Sequence, residues 1–188
     1  MWIPASTIIP SVFAFNDTVG YEWYAPAGFS RGALPISKEA ERRLTKPNVD
    51  DLYDANVNPI MTYVNDGIVI WGQKTLQKRE TALNRINVRR LLIKAKKYIA
   101  SVSKYLVFEQ NVSSTRNTFL NTANPFFEDI QQKNGLYDFR VVMDESNNTP
   151  DVIDRLELYG QIWLKPTRTA EYIVIDFNIM PTGAVFPD

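Results

Sequence analysis

VNPIMTYVNDGIVIWG, residues Val57–Gly72, is the stretch on which the fold turns. It reads as a short hairpin whose second arm is fully buried. Ile68–Trp71 is continuously apolar between Gly67 and Gly72, the pattern of a central strand covered on both faces. Trp71 is therefore expected in the core. A long amphipathic helix follows, beginning at NVRRL, Asn87–Leu91. Val88, Leu91, Leu92, Ala95, Ile99, Val102 and Leu106 form one apolar stripe at helical spacing. Arg90, Lys94, Lys97 and Lys104 form a second stripe on another face. Between Asn87 and Leu106 stand six basic residues and no acidic one.

Downstream, Ser113 or Ser114 caps a second helix that turns Phe119, Leu120, Ala123, Phe127 and Ile130 inward. Pro125 is expected to disturb its middle or end its first half, and Asn134-Gly135 to stop it. Tyr137, Phe139, Val141 and Met143 alternate with Asp138 and Arg140 as a strand. Tyr159–Pro166 and Glu171–Ile179 read as a hairpin joined through Pro166–Thr169, with Ile173, Ile175, Phe177 and Ile179 on one face. Thr149-Pro150-Asp151 opens a short helix between the strands, with Asp151 and Asp154 near its positive end. Upstream, Ser37–Leu44 reads as a charged helix ending near Lys46-Pro47. The expectation is a two-layer α/β (α+β) domain over residues 57–180, a mixed sheet of about four to five strands with two longer helices packed on it. Residues 1–56 are expected to pack on it as a helical or irregular segment.

Composition narrows the function. The 188 residues suit one domain with an appendage and can bury a core without staples. Lys plus Arg number 21 and Asp plus Glu 21, so no global charge draws the chain to nucleic acid or an anionic membrane. With no Cys and no His, the usual zinc sites, disulfides and Ser-His-Asp or Cys-His pairs are excluded. No apolar run is long enough for a spanning helix, and MWIPASTIIP lacks the basic start of a signal peptide. The usual nucleotide-binding glycine motifs are missing as well.

The remaining chemistry rests on carboxylates. Asp144-Glu145 ends a strand, but adjacent strand residues point to opposite faces and read as a solvated turn. Asp50, Asp51 and Asp54 lack the glycine and distal glutamate of a calcium loop. A small hydrolase using some of Asp138, Asp144, Glu145 and Asp176 is the enzymatic alternative; it needs two of them to converge in one pocket. The basic stripe is either a solvated face or a contact for an acidic partner. Trp23, in GYEWYAPAG, packs its segment onto the domain or fills a neighbour's groove.

Taken in order, the motifs resemble the contractile tail-sheath proteins of bacteriophages. Val57, Asn58, Pro59 and Ile60, then Gly67, Ile68, Val69, Trp71 and Gly72, then Thr75 and Leu76, then Asn87–Leu91 follow that family's succession. Ala14 and Asp17, the run from Gly20 through Trp23 to Gly28, and Arg31-Gly32 match it upstream. Phe108-Glu109, Asp144-Glu145, Asn148–Pro150 and Lys165–Phe177 match it downstream.

The resemblance implies a structural subunit with no active site and no cofactor. Such a subunit polymerises into a helical sheath around the tail tube, adds strands to its neighbours' sheets, and contracts to drive the tube through the host envelope. Its implied partners are further copies, the tube protein, the baseplate and the tail terminator, with no nucleic acid and no membrane. Its implied place is the virion tail, after assembly in the host cytoplasm. Arg90, Lys94, Lys97 and Lys104 would then face the tube or a neighbouring subunit. Ile173, Ile175, Phe177 and Ile179 would form a strand-addition edge. Residues 181–188 would begin a C-terminal arm. Met1-Trp2 opens almost directly onto the matching segment, so the chain is expected to be the C-terminal part of a larger protein, monomeric when isolated. The sheath of a bacteriocin or a secretion apparatus is the related alternative.

Overall fold

The computed structural model describes residues 2–175; Asp176, Phe177, Ile179 and the expected arm at 181–188 lie outside the described residues. The hairpin forms as the sequence suggests. β1 (Ile60–Tyr63) and β2 (Gly67–Ile70) pair antiparallel, with Ile60 opposite Ile70 and Tyr63 opposite Gly67. Gly67 turns the chain at φ +77°, where a side chain would be strained. β2 is central, as expected. On its far side Leu34 N–H donates to Ile68 (2.8 Å), and Ile70 N–H donates to Gly32 (2.8 Å). Ile68, Val69 and Ile70 are buried. Behind the hairpin, Asn58 accepts from Lys74 N–H (2.7 Å) and donates to the Lys74 carbonyl (2.9 Å). Gly72 permits that approach, because a Cβ there would stand 2.8 Å from the Asn58 side-chain oxygen.

Trp71 corrects the core expectation. It lies one residue beyond the last strand pair and is partly exposed, in a surface aromatic cluster with Phe29 and Tyr63. An apolar run says nothing of where its cover ends.

The N-terminal segment begins with a regular helix, α1 (Ala5–Val19), that runs through Pro10. Pro10 and Ser6 are both exposed, so water can take the donor's place at the Ser6 carbonyl. Val12 of α1 packs with Leu34, Ile68 and Ile70. After α2 (Gly28–Arg31), residues 37–44 form no helix. The helix lies just beyond, α3 (Lys46–Asp54), with Pro47 in its first turn. Thr45 caps it: the Asn48 side-chain oxygen accepts from the Thr45 hydroxyl (2.7 Å) and N–H (3.2 Å). Proline lacks the donor that a first turn leaves unused, so Lys46-Pro47 starts a helix here rather than ending one.

α4 (Ile86–Ser103) continues into a short 3-10 turn, Lys104–Leu106, and α5 (Ser113–Gln132) passes unbroken through Pro125. Pro125 and Asn121, whose carbonyl loses its donor, are exposed, so water again substitutes. β3 (Leu136–Val142) and β4 (Gln161–Pro166) pair antiparallel, joined through α6 (Pro150–Asp154) and its Thr149 cap. At the register shift between Leu136 and Asp138, Leu136 is buried and Tyr137 exposed, so Tyr137 does not share the face of Phe139, Val141 and Met143 as the alternation suggests. Asn148, buried, ties the connection together: it accepts from Tyr159 N–H (2.8 Å) and donates to the Asp144 (3.1 Å) and Tyr159 (2.8 Å) carbonyls.

The strands form two separate antiparallel pairs among the described residues, not one mixed sheet. The two-layer expectation holds for the second pair. Leu91 and Ala95 of α4, and Phe127 and Ile130 of α5, pack with Leu136, Phe139, Val141, Ile162 and Leu164. Trp23 joins this core and donates its indole N–H to the Lys133 carbonyl (3.0 Å). It therefore packs its own segment onto the domain. Gly135 makes room, since a Cβ there would lie 2.5 Å from Ile130 and 3.0 Å from the indole.

Candidate interaction surfaces

The β3–β4 sheet has one covered face and one open face. Trp163, Lys165, Asp138 and Arg140 occupy the open side, with Lys165 Nζ 2.9 Å from the Asp138 carboxylate and Arg140 over the Trp163 ring. Among the described residues, no backbone hydrogen bond joins another segment to the outer edge of β4. On β3's outer side the Gln131 side chain donates to the Tyr137 carbonyl (2.9 Å). A two-stranded sheet with such an edge is a template for a further strand.

Beyond β4 the chain stays tied to the core for five residues. The Thr167 hydroxyl donates to the Asn134 carbonyl (2.8 Å), and Gln73, buried, donates to Thr169. Glu171 then meets Arg85 in a two-pronged pair (2.6 and 2.8 Å) and accepts from the Tyr53 hydroxyl. Lys74 Nζ donates to the Tyr53 carbonyl (2.5 Å) and lies 3.4 Å from the Tyr53 ring centroid. Burial opposes ionisation of Glu171, but hydrogen bonds from Arg85 and Tyr53 outweigh it and hold its carboxyl below the usual range. Burial first, and then the hydrogen bond to Glu171, push the Tyr53 hydroxyl well up. Alongside lies a cavity of about 440 Å³ lined by Asn87, Arg85, Arg168, Glu80 and Tyr172 among others. No donor among the described residues meets the buried Asn87 side-chain oxygen in its wall.

Residues 171–175 do not return as a strand on β4, contrary to the expected hairpin. Ile173 and Ile175 are exposed (82% and 65%), and Phe177 and Ile179 lie outside the described residues. Apolar alternation alone does not fix a strand, since it is pairing with a neighbouring backbone that makes one.

The basic stripe divides in two. Arg90 donates to both oxygens of Asp17 (2.7 and 2.6 Å) and lies over Phe13. Lys94 pairs with Glu22 (2.7 Å) and lies over Trp23. These two fasten the N-terminal segment to α4, whereas the sequence expectation had all four cations facing the tube or a neighbouring subunit. Lys97 and Lys104 remain exposed, with no carboxylate within ion-pair distance among the described residues.

Of the carboxylates in the enzymatic alternative, Asp144 and Glu145 border one open hollow beside Ser113 and Arg116, while Asp138 lies on the open face of the sheet. Asp138 faces Lys165, whose hydrogen bond and charge lower its pKa. Asp144 accepts from the Ser146 hydroxyl (2.5 Å) and N–H (2.8 Å), which lower its own. Glu145 reaches only Arg116, at 3.8 Å. Neither resolved shift is upward, the direction a general acid needs; Asp176 lies outside the described residues. Sequence reasoning missed Arg85, Tyr53, Gln73 and Glu171, which stand 86 to 118 residues apart across their contacts with the tail. The available signal was parity: Thr167, Thr169 and Glu171 precede Ile173 and Ile175 at every second position.

Residues 78–180 match the model of the phage tail sheath C-terminal domain. The tail sheath protein of Vibrio phage KVP40 is 37% identical over 187 residues, and that of Enterobacteria phage T4 is 35% identical. Each alignment covers 100% of this chain, which spans only 28% of the length of either relative. Two solved structures share the fold. The contracted sheath complex of the PVC extracellular contractile injection system has a TM-score of 0.87 at 24% identity, covering 94% of this chain and 51% of that one. The contracted helical sheath of the anti-feeding prophage has a TM-score of 0.83 at 25% identity, covering 93% and 50%.

Proposed function

The chain belongs to the phage tail sheath family, and from that premise we propose that it is a structural subunit of a contractile sheath, linked to its neighbours by strand addition. The observation that carries this reading is the β3–β4 sheet, whose β4 edge is unpaired among the described residues while residues 172–175 are exposed. A donated strand would give each copy backbone hydrogen bonds to the next, and apolar residues at alternate positions would set its register. Copies tied in this way can shift relative to one another without separating.

The subunit's partners in this reading are other copies and the tube, baseplate and terminator of a tail assembled in the host cytoplasm. Lys97 and Lys104 face an acidic surface of the tube or of a neighbour. Arg90 and Lys94 join them only where the Asp17 and Glu22 pairs open. The work done is mechanical, so the subunit needs no cofactor or catalytic group. A bacteriocin or other injection-system sheath is the second reading, favoured by the fold shared with the PVC and anti-feeding prophage sheaths. Capsid and packaging genes beside the reading frame distinguish a phage from either.

Electron microscopy of the complete reading frame, co-expressed with the tube protein encoded beside it, tests the proposal. Striated hollow tubes are the expected product. Dispersed particles in the presence of tubes would overturn it.

A further inference from the structure

The chain changes character at one residue. Up to Glu171 every second side chain, Thr167, Thr169 and Glu171, is polar and hydrogen-bonded to the core. From the next position of the same parity the residues are apolar and exposed: Ile173 at 82% and Ile175 at 65%. Tyr172, between the two regimes, is itself 76% exposed and leans edge-on against Tyr53, ring centroids 6.3 Å apart. A run of exposed isoleucine and valine is unfavourable in water, whereas the same run on a sheet edge is not.

The anchorage at the boundary is built from distant parts of the chain. Arg85 stands between a 3-10 turn (Ala82–Asn84) and α4, Tyr53 is on α3, and Gln73 follows the hairpin. Three elements thus converge on one carboxylate, and a guanidinium grips it with two parallel hydrogen bonds, the geometry that fixes direction as well as position. A tether that only needed strength could have used apolar packing. An Arg–carboxylate fork instead sets the angle at which the chain departs.

Resting on the strand-addition reading above, we propose that Glu171 is a positioning residue for strand donation. Held by Arg85 and Tyr53, it fixes the point and direction at which the chain leaves its own core, so that the segment from Tyr172 onward is the strand given to a second copy. The core keeps the polar half of the segment and the neighbour receives the apolar half.

The test uses the complete reading frame in four forms: wild type, Glu171→Arg, the exchange Arg85→Glu with Glu171→Arg, and a truncation after Glu171. Amide hydrogen exchange across 167–171 reads the anchorage, and the protein concentration needed for tube formation reads donation. Glu171→Arg is expected to speed exchange there about tenfold, as loss of a charge-assisted pair should, and to raise the assembly concentration about tenfold. The charge exchange should restore both. Glu171→Arg with fast exchange but wild-type assembly would overturn the positioning role while leaving strand addition standing. Unchanged exchange in Glu171→Arg would show that the pair anchors nothing and would also overturn it. Failure of the exchange variant to recover either readout would reduce Glu171 to a local packing residue. Wild-type assembly by the truncated chain would instead refute donation by this tail, and with it the reading on which the proposal rests.

Discussion

The two sheets of this protein are built alike and finished differently. Each is an antiparallel pair, but β2 is sealed on its far side by residues 32–34 of the same chain. Val69 at its centre is wholly buried. β4 has no such seal among the described residues, and Trp163 at its centre is half exposed. β1 also keeps an outer edge, but it is only four residues long, whereas β3 has seven and β4 six. Short edges are poor templates and longer ones good templates. The contrast separates a sheet sealed by its own chain from one whose β4 edge is unpaired among the described residues.

The sharpest way to break this comparison is a carboxylate at the centre of each sheet. Val69→Asp should cost more than about 4 kcal/mol, because it buries an unpaired charge, and should abolish cooperative thermal unfolding. Trp163→Asp should shift the melting temperature by only a few degrees, near the ordinary range for surface changes. Equal damage at both sites would show that β4 belongs to a core as closed as β2's. Next in size, Phe127→Ala, beneath the covered face of β3–β4, should cost about 3–5 kcal/mol in a denaturant titration. A smaller loss would mean that the helices add little to the open sheet's rigidity.

The anchorage at Glu171 should respond to acid. Its folded pKa is lowered, so its contribution is full above the usual glutamate value and fades as pH falls through the folded value. Hydrogen exchange over 167–171, corrected for the intrinsic rate, should therefore rise on acidification. Glu171→Gln should flatten that dependence; an unchanged profile would assign it to other groups. The smallest effect on folding belongs to the cations. Lys97→Glu with Lys104→Glu should alter stability by less than about 0.5 kcal/mol yet weaken assembly. Arg90→Glu, facing Asp17, should cost about 1 kcal/mol. Unaltered assembly in the double variant would remove Lys97 and Lys104 from any contact surface.

Periodic segments were legible. The buried run Ile68–Ile70 and the stripe from Val88 to Leu106 can be read because one face of one element carries the whole signal. Prolines misled in both directions. Pro47 starts a helix rather than ending one, and Pro125 is tolerated inside a helix because it and the residue whose carbonyl it deprives are exposed. Contacts across the fold were not legible. Nothing near Arg90 in sequence announces Asp17, 73 residues away, nor does anything near Arg85 announce Glu171, 86 away. The alternation of Ile173 and Ile175 suggested a strand, but residues 171–175 form none. One sequence cannot say which copy's sheet a strand completes.

Cysteine cross-linking tests the central claim most directly, because the chain has no cysteine of its own. Lys165→Cys on β4 would be combined in turn with Ile173→Cys and Val174→Cys, so that both parities of the tail are sampled. Assembled material would then be oxidised and separated under denaturing conditions. The account predicts a ladder of covalently linked copies from one of the two pairs, and none from unassembled protein. A disulfide formed only within single chains, or no disulfide in intact tubes, would contradict it.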